Sequence, residues 1–424
     1  VTAGPGSLLP QLPTHWSVTP VRYASTCLDG KRVPLNIEER STRRGDYPYW
    51  GANGVVDSID EYLFDEPLVL LGEDGAPFFD KTKPVAFFVT GRVWVNNHIH
   101  VLRLTLRFDP RFIMHCLNAA DYGPWIEGST REKLTQDKMG SIPLPTPPLR
   151  EQRAIADFLE RETARIDTLV AAKERLLTIL AEKRQALISR AVTKGLDPDV
   201  PTKDSGSAWF GSIPAHWEVR KLKWMCRRIT DGSHYSPPTR DDGRPYVTVA
   251  NVVDDRVDVE GAARIDDSDF ATLERNGCRP SVGDVLFSKD GSVGKVAVVE
   301  NDGFVILSSL ARLSPTSATD SDYLAYFLKS KPGGDQVESH YAGAALRRIT
   351  LDTIVDLLAV QPPLHEQHAI VAFIKAETAK LDAVRAAAEK TIGLLKERRA
   401  ALIAAAVTGK VDVPLESGVE SART

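Results

Sequence analysis

One long stretch of this chain occurs twice, and that repeat limits the available folds more than any other feature. Its first copy, PPLREQRAIADFLERETARIDTLVAAKERLLTILAEKRQALISRAVTKG, runs from Pro147 to Gly195; its second, PPLHEQHAIVAFIKAETAKLDAVRAAAEKTIGLLKERRAALIAAAVTGK, runs from Pro362 to Lys410. The copies align without a gap at an offset of 215 residues. Pro148, Glu151, Gln152, Ile155, Phe158, Glu162 and Leu187 thus return as Pro363, Glu366, Gln367, Ile370, Phe373, Glu377 and Leu402. An internal duplication this faithful implies two related structural units.

Each copy reads as one helix. The consecutive prolines need no donated bond, and the carboxylate of Glu151 or Glu366 in the first turn meets the positive end of the helix dipole. Gly195 with Pro198, and Gly409 with Pro414, mark the stops. Alternate steps of four and three from Ile155 give Leu159, Glu162, Ile166, Leu169, Lys173, Leu176, Leu180, Lys183 and Leu187. The second copy gives Ile370, Ile374, Glu377, Leu381, Val384, Ala388, Thr391, Leu395, Arg398 and Leu402. A repeat of about 3.5 residues predicts coiled-coil pairing. Polar residues fall at the same steps in both copies: either paired charges at Glu162/Glu377 and Lys183/Arg398 fix the register, or the seam frays to solvent there.

With 424 residues the chain exceeds a single compact core. Its 42 % hydrophobic and 26 % charged content is that of a soluble globular protein, without an apolar run long enough for a membrane span. The opening VTAGPGSLLPQLPTHW carries no export signal, so a cytoplasmic protein is expected. Cys27, Cys116, Cys226 and Cys278 are scattered and form no C-x-x-C, which argues against a zinc site and against a disulfide framework. A formal net charge of −4 does not decide nucleic-acid binding, because clustering of cations matters more than their sum.

Residues 1–146 form a first globular domain with short apolar strands at YPYWGANG, EPLVLLGEDG, KPVAFFV and VLRLTL, and a helix at Arg111 to Ala120. The first long helix occupies 147–196. A Pro/Gly/Ser-rich connector from Asp197 to Pro214 opens the next segment, 197–361, in which the first domain begins again. Pro13-Thr-His15-Trp16 recurs as Pro214-Ala-His216-Trp217, Asp29-Gly30 as Asp231-Gly232, VLLGEDG (Val69 to Gly75) as VLFSKDG (Val285 to Gly291), and FIMHCL as YLAYFL. The second long helix takes 362–412 and a tail 413–424. The helices repeat faithfully while the loops of the domains diverge, which is how recognition surfaces are usually built.

Catalytic motifs do not assemble. Ser236-Pro237-Pro238-Thr239 resembles the S/N/D-P-P-aromatic element of amino-methyltransferases, but it lacks the stacking aromatic and a glycine-rich cofactor loop. Gly291-Ser-Val-Gly294-Lys295 lacks the first glycine and the Ser/Thr of a phosphate loop and reads as a β-turn before a strand. His15 and His216 read as structural partners of Trp16 and Trp217. Basic and polar residues on turns are better candidates, because Arg and Lys reach guanine edges or phosphates and Asn reaches adenine. In the first domain these are Lys31, Arg32, Arg43 and Arg44, near Tyr47, Tyr49 and Asn53. In the second they are Ser233, His234, Tyr235, Thr239 and Arg240 on one loop, Lys289 in the KDG turn, and Arg347 with Arg348.

The doubled PPL-x-EQ-x-AI helix, each copy preceded by P-x-HW and DG, with GD-x-L-F-S-x-DG-x-x-G-K at Gly283 to Lys295, resembles the specificity subunit of type I restriction–modification systems. The resemblance covers the chain from about Leu12 to Asp412. It implies an α+β chain in which two globular α/β target-recognition domains are separated by two long antiparallel coiled-coil helices, an internal repeat with pseudo-twofold symmetry. Each domain would read one half of a bipartite double-stranded DNA site. The helices would set the spacer and dock two modification subunits, which carry S-adenosylmethionine and methylate adenine N6. Restriction subunits, optional members, would cleave with ATP and Mg. No catalytic residue, cofactor or metal would belong to this chain, and its place would be the prokaryotic cytoplasm. Helix pairing and partner docking fall by this resemblance to Glu151, Gln152, Ile155, Phe158, Leu169 and Leu180, and to Glu366, Gln367, Ile370, Phe373 and Leu395. The first domain departs from the pattern, with EPLVLLGEDG in place of GD-x-L-F-S and no loop like the second domain's H-x-x-P. A helix of about 45 residues is roughly 65 Å long, enough to hold two readers about one DNA turn apart. The rival expectations are a coiled-coil scaffold that binds proteins only and a stand-alone DNA methyltransferase.

Overall fold

The computed structural model describes residues 12–126, 132–341 and 347–414. The chain forms β1 (Ser17–Pro20), α1 (Val21–Ala24), β2 (Ser25–Cys27), α2 (Ile37–Thr42), β3 (Arg44–Gly51), β4 (Gly54–Ile59), β5 (Phe64–Asp65) and β6 (Leu68–Gly72). It continues with β7 (Ala86–Val89), β8 (Arg92–Val95), β9 (Ile99–Leu104), α3 (Pro110–Ala119), α4 (Gln136–Ser141), β10 (Pro143–Thr146) and the long helix α5 (Leu149–Lys194). The predicted connector is itself folded, as the hairpin β11 (Thr202–Asp204) and β12 (Ser212–Pro214), which buries Phe210 edge-on to Phe327. The plan then restarts with β13 (Glu218–Lys221), α6 (Leu222–Met225), β14 (Cys226–Asp231), β15 (Arg244–Val247), β16 (Val252–Val253), β17 (Arg256–Val257) and β18 (Ala263–Ile265). It ends with α7 (Asp267–Arg275), β19 (Val285–Ser288), β20 (Val296–Val298), β21 (Val305–Ile306), β22 (Leu310–Pro315), α8 (Ser321–Lys329), α9 (Lys331–Ser339), α10 (Leu351–Asp356), β23 (Leu358–Gln361) and α11 (Leu364–Val407).

These elements form two compact units, and each contains half of each long helix. The first runs to Arg175 and resumes at Ala388; the second is Leu176–Ala387. In the first unit an antiparallel sheet of order β2-β9-β6-β7 lies between helices and a second sheet, β4-β3-β8-β5. The apolar run of β6 follows from that position. Val69 and Leu71 face the core shared with Phe112, Ile155, Leu159 and Ile403, while Leu68 and Leu70 face Val93, Val95 and Val101. Covered on both faces, the strand has no place for polar residues. The second unit repeats this with β14-β22-β19-β20. Val285 and Phe287 face Ile188, Val192, Tyr323 and Ile370, and Leu286 faces Val247 and Ile306. Both second sheets contain a parallel pair, β3 with β8 and β15 with β21.

Within the first unit Asp167 pairs with Arg399 at 3.0 Å and Glu174 with Lys396 at 3.6 Å, so the half-helices run antiparallel. Within the second, Arg184 meets Asp382 at 2.6 Å, and the end of α5 shares its core with the start of α11. Most steps of the predicted 3.5-residue repeat are covered, and the departures fall at Leu169 and Lys183 in α5 and at Val384 and Arg398 in α11. The covered face also includes a second row, Ile155, Leu159, Thr163, Ile166, Val170, Lys173, Leu177, Leu180, Arg184, Ile188 and Ala191, ten steps over 36 residues. That is the period of a straight helix, and over this length it leaves the strict heptad behind. Leu169 and Val384 are therefore about half exposed, at 52 % and 47 %. Lys183 and Arg398 are exposed, and Arg184 and Arg399 pair across the helices instead. Glu162 and Glu377 bind Arg165 and Lys380 on their own helices.

The PPL-x-EQ motif fastens each helix to its own domain. Trp16 and Trp217 each donate an indole N–H to Glu151 and Glu366, both at 2.9 Å, and His15 and His216 meet the same carboxylates at 3.1 and 2.6 Å. Gln152 accepts from the Asp109 amide at 2.9 Å and Gln367 from the Asp320 amide at 2.8 Å. Asp109 and Asp320 are the N-caps of α3 and α8. Both glutamine side chains are buried and satisfied inside their units, so these two positions present no surface for a docking partner. The helix ends return to the same tryptophans. Gly195 and Gly409 hold φ of 76° and 70°, and a Cβ there would lie within 3.1 Å of Trp217 and 3.3 Å of Trp16. Glycine meets both demands.

Candidate nucleic-acid interface

Three segments converge at one corner of each unit: the turn that opens with Asp-Gly, the end of the central strand, and the residues that lead into a short helix. In the first unit they bring together Asp29 and Arg32, Glu73 and Asp74, and Lys133. In the second they bring together Asp231 and His234, Lys289 and Asp290, and Arg348. Backbone bridges Asp74–Lys133 and Asp290–Arg348 show that the places are equivalent.

In the first unit Asp29 accepts from His100 Nδ1 at 2.6 Å and from the Val101 amide at 2.9 Å. Burial pushes the Asp29 carboxyl up, but the His100 bond, the Val101 amide and Arg32 more than offset this and hold it below the usual carboxylate range. Arg32 bridges to Glu73 at 2.5 Å and donates to the Ile99 carbonyl at 3.0 Å, and Lys133 meets Glu73 at 3.1 Å. Arg32 is thus spent largely inside the fold. Lys31 is exposed beside it.

In the second unit His234 meets Asp231 at 3.0 Å, and the buried Lys289 lies 3.4 Å from Asp231 and from Asp290. Arg348 pairs with Asp290 at 2.9 Å and stays more than half exposed, and Arg347 is exposed next to it. Buried Ser233 closes the loop by donating to the Tyr235 carbonyl at 2.6 Å and accepting from its amide at 3.0 Å, which leaves the Tyr235 ring 57 % exposed. Six candidate positions of this domain, Ser233, His234, Tyr235, Lys289, Arg347 and Arg348, therefore share one corner with the bounding Asp231-Gly232. Thr239 and Arg240 lie further along the same loop, where the Arg240 guanidinium reaches Asp266, the N-cap of α7, at 3.3 Å.

The other positions of the first domain occupy its second sheet. Arg43 pairs with Asp60 at 3.0 Å and Glu61 at 2.6 Å and lies over the Trp94 ring, Arg44 is exposed, and Tyr47 accepts from Arg92 at 3.2 Å. Tyr49 is 1 % exposed, with its hydroxyl bonded to Leu35 backbone, and is a core residue out of reach of a ligand. Asn53, at the exposed β3–β4 turn, donates to the Gly75 carbonyl at 3.2 Å, which places it beside the Asp-Gly corner. Sequence inspection missed Asp29, Glu73 and His100 as parts of this corner. The one available signal was the exchange of Glu73 for Lys289, and of Glu132 for Arg347, between otherwise parallel segments.

Cys27, Asp29 and His100 offer ligand atoms within 4.8 Å of one another. Both ring nitrogens of His100 are already in hydrogen bonds, to Asp29 and to the Leu134 carbonyl at 2.8 Å, and burial pushes the Cys27 thiol up to about 12. The group serves as an internal clamp and presents neither a thiolate nor a free lone pair to a metal. Among the described residues no helix is long and apolar enough to cross a membrane.

Comparison with known proteins follows this geometry. The family described as "Type I restriction modification DNA specificity domain" matches residues 29–177 and 214–390, once in each repeat. A Haemophilus influenzae protein described as a type I restriction enzyme specificity subunit is 26 % identical over 84 % of this chain and 86 % of its own length. The EcoBI specificity subunit of Escherichia coli is 24 % identical over 72 % of this chain and 66 % of its own. A solved chain from work on the assembly and conformational transition of a type I system shares the fold over 95 % of this chain, with a TM-score of 0.67 at 17 % identity.

Proposed function

Since the chain belongs to the type I restriction–modification DNA specificity family, we propose that it is the subunit that chooses the DNA sequence for such a complex. Each unit reads one half of a bipartite site, and the paired helices set the spacer. Two modification subunits dock on the outer faces of the helices and supply S-adenosylmethionine and adenine methylation. Restriction subunits, where they join, supply ATP- and Mg-dependent cleavage. This chain works in the cytoplasm and contributes recognition without catalytic residues of its own.

The observation that carries this function is the pair of equivalent corners with opposite charge at matching places. Glu73 and Glu132 in one unit stand where Lys289 and Arg347 stand in the other. Two readers on one scaffold with different polar faces suit two unlike half-sequences. Exposed apolar residues at matching helix positions, Leu169 with Val384 and Ile179 with Leu394, suit a partner that binds twice. The test is a methylome comparison between the native chain and one with four residues inserted in the middle of α5, about one turn or 6 Å. Both half-sequences are expected to persist while the spacer lengthens by about one or two base pairs of 3.4 Å rise. An unchanged spacer would remove the measuring role from the helices. Loss of salt-dependent duplex binding by the assembled complex would remove the DNA role altogether.

A further inference from the structure

Tyr23 is 70 % exposed and Trp224 is 65 % exposed. They occupy the same place in the two units, seven residues beyond Trp16 and Trp217, inside the one-turn helices α1 and α6. The supports are rigid. Val21 and Ala24 are buried beneath Tyr23, and Leu222 and Met225 beneath Trp224. α1 packs on α4 in the first unit, and α6 on α10 in the second. Each exposed ring therefore projects from an ordered base.

Three cations next to the rings in the sequence are held by the fold. Arg22 donates to the Gly140 carbonyl at 3.2 Å and to the Ser141 hydroxyl, while Lys221 and Lys223 share Asp356 at 3.0 and 2.9 Å. The positive charge next to the rings is thus partly taken up by the fold, and an exposed ring on an ordered base suits a protein partner better than a phosphate backbone. A half-sequence of DNA cannot be the common ligand either, because the reading corners differ in charge while these rings are alike. The ligand has to be the same at both ends. The faces are also continuous with the helices. β1 pairs with β10, which leads straight into α5, and β13 pairs with β23, which leads into α11.

The geometry points to Tyr23 and Trp224 as the anchors of a second docking contact for the modification subunit, one at the root of each reader. This contact rests on the function proposed above and adds to it: the methylating subunit grips the reading domain as well as the helix, through an apolar cleft that receives the ring. Its distance from the half-site is then set by the domain that reads that half.

The test uses the full chain with the modification subunit of the same system, and native mass spectrometry reads the stoichiometry. The native chain is expected to bind two copies. Tyr23→Ala and Trp224→Ala should each weaken one site about 30-fold or more and leave single-copy complexes at concentrations where the native chain is saturated, with the double variant weakened at both. Tyr23→Phe and Trp224→Phe should bind two copies, and unchanged melting curves for all variants show that the fold is intact. Two copies bound with native affinity by the double alanine variant would overturn the docking contact. So would an alanine variant that loses DNA affinity but keeps both copies, since the rings would then face DNA. A native chain that binds no modification subunit would overturn the underlying function as well, and the control without substitutions separates that failure from the others.

Discussion

Asp29 and Asp231 open the same turn in the two units, and each needs a hydrogen-bonding partner, yet the partner comes from different places. In the first unit it is His100, from inside the sheet, with Arg32 beside it. In the second the strand position of His100 is held by Ala311, and Lys289 approaches from the strand end where the first unit has Glu73. The fold thus preserves the pairing of a carboxylate and leaves the residues free to change. That freedom lets the charge at the corner reverse sign without loss of the framework, as the proposed pair of unlike readers would require. The difference can be broken at several points.

The largest effect is expected one layer deeper, at the centre of the sheets. Leu68 and Val101 fill the place that Asp284 and Arg312 fill in the second unit, where Arg312 lies 3.6 Å from Asp284 and donates to the Gly277 and Arg279 carbonyls. Removing one member of a buried ion pair strands the other, so Arg312→Val should cost about 3–5 kcal/mol. The double change Asp284→Leu with Arg312→Val should recover much of that loss, because it installs the first unit's apolar solution. Urea unfolding of the four members of the cycle measures the coupling. Equal losses for the single and double variants would mean that the carbonyl contacts of Arg312, and not its ion pair, hold the second unit.

His115 of the first unit and Tyr326 of the second form another matched pair, four residues short of the ends of α3 and three short of the end of α8. Neither ring nitrogen of His115 has a hydrogen-bond partner, and burial, with Arg399 and Arg111 nearby and Asp109 opposing them, pulls its pKa down to about 4. The unfolded chain takes up this proton near pH 6.5 and the folded one only near 4, so the unfolded state binds more protons in between. Stability is therefore full above about pH 6.5 and falls as the pH drops towards 4, by about 3 kcal/mol in all. His115→Tyr, which copies the second unit, should flatten that slope. Parallel slopes for the native chain and the variant between pH 7 and 4.5 would assign the acid sensitivity elsewhere.

A smaller effect is expected at the corner itself. Lys289→Met leaves Asp231 with His234 alone and should cost about 1–3 kcal/mol, whereas Glu73→Gln should cost less, because Arg32 keeps the Asp29 carboxylate and three backbone carbonyls. Adding Ala311→His to Lys289→Met should restore part of the loss if His100 is the feature that makes Lys289 dispensable. Denaturation midpoints decide this, and a histidine that gives no rescue would show that the two corners are not interchangeable.

The parts visible in the sequence were those set by local chemistry. The helix starts at Leu149 and Leu364 followed from proline and acid, the stops from glycine, and the central strands from apolar runs. The seam was legible at most of its steps and failed at two in α5, where a difference of about 0.1 residue per turn, accumulated along the helix, exchanges Leu169 for Val170 and Lys183 for Arg184. Tyr49 looked like a surface aromatic because strand alternation does not say which face is covered. The Asp29–His100 bond spans 71 residues, a separation at which no spacing rule applies. Gln152 and Gln367 stood out as repeated, and their role as clamps on the N-caps of α3 and α8 emerged only when the chain was folded.

The last comparison concerns reading itself, and its effects are modest in energy but sharp in kind. Tyr235 and Arg240 belong to the second unit, and Arg44 is an exposed cation of the first. If each unit reads its own half, Tyr235→Ala and Arg240→Ala should relax one half-sequence by about 10- to 100-fold in discrimination and leave the other untouched. Arg44→Ala should do the reverse. Methylome sequencing scores the halves separately, and the salt dependence of duplex binding separates the two kinds of contact: loss of a phosphate contact flattens the slope, while loss of a base contact does not. Equal decay of both halves with a flattened slope would make these side chains anchors on the phosphate backbone. The choice of sequence would then rest with the inward groups of the corners, and the reversal from Glu73 to Lys289 would become the first place to look for it.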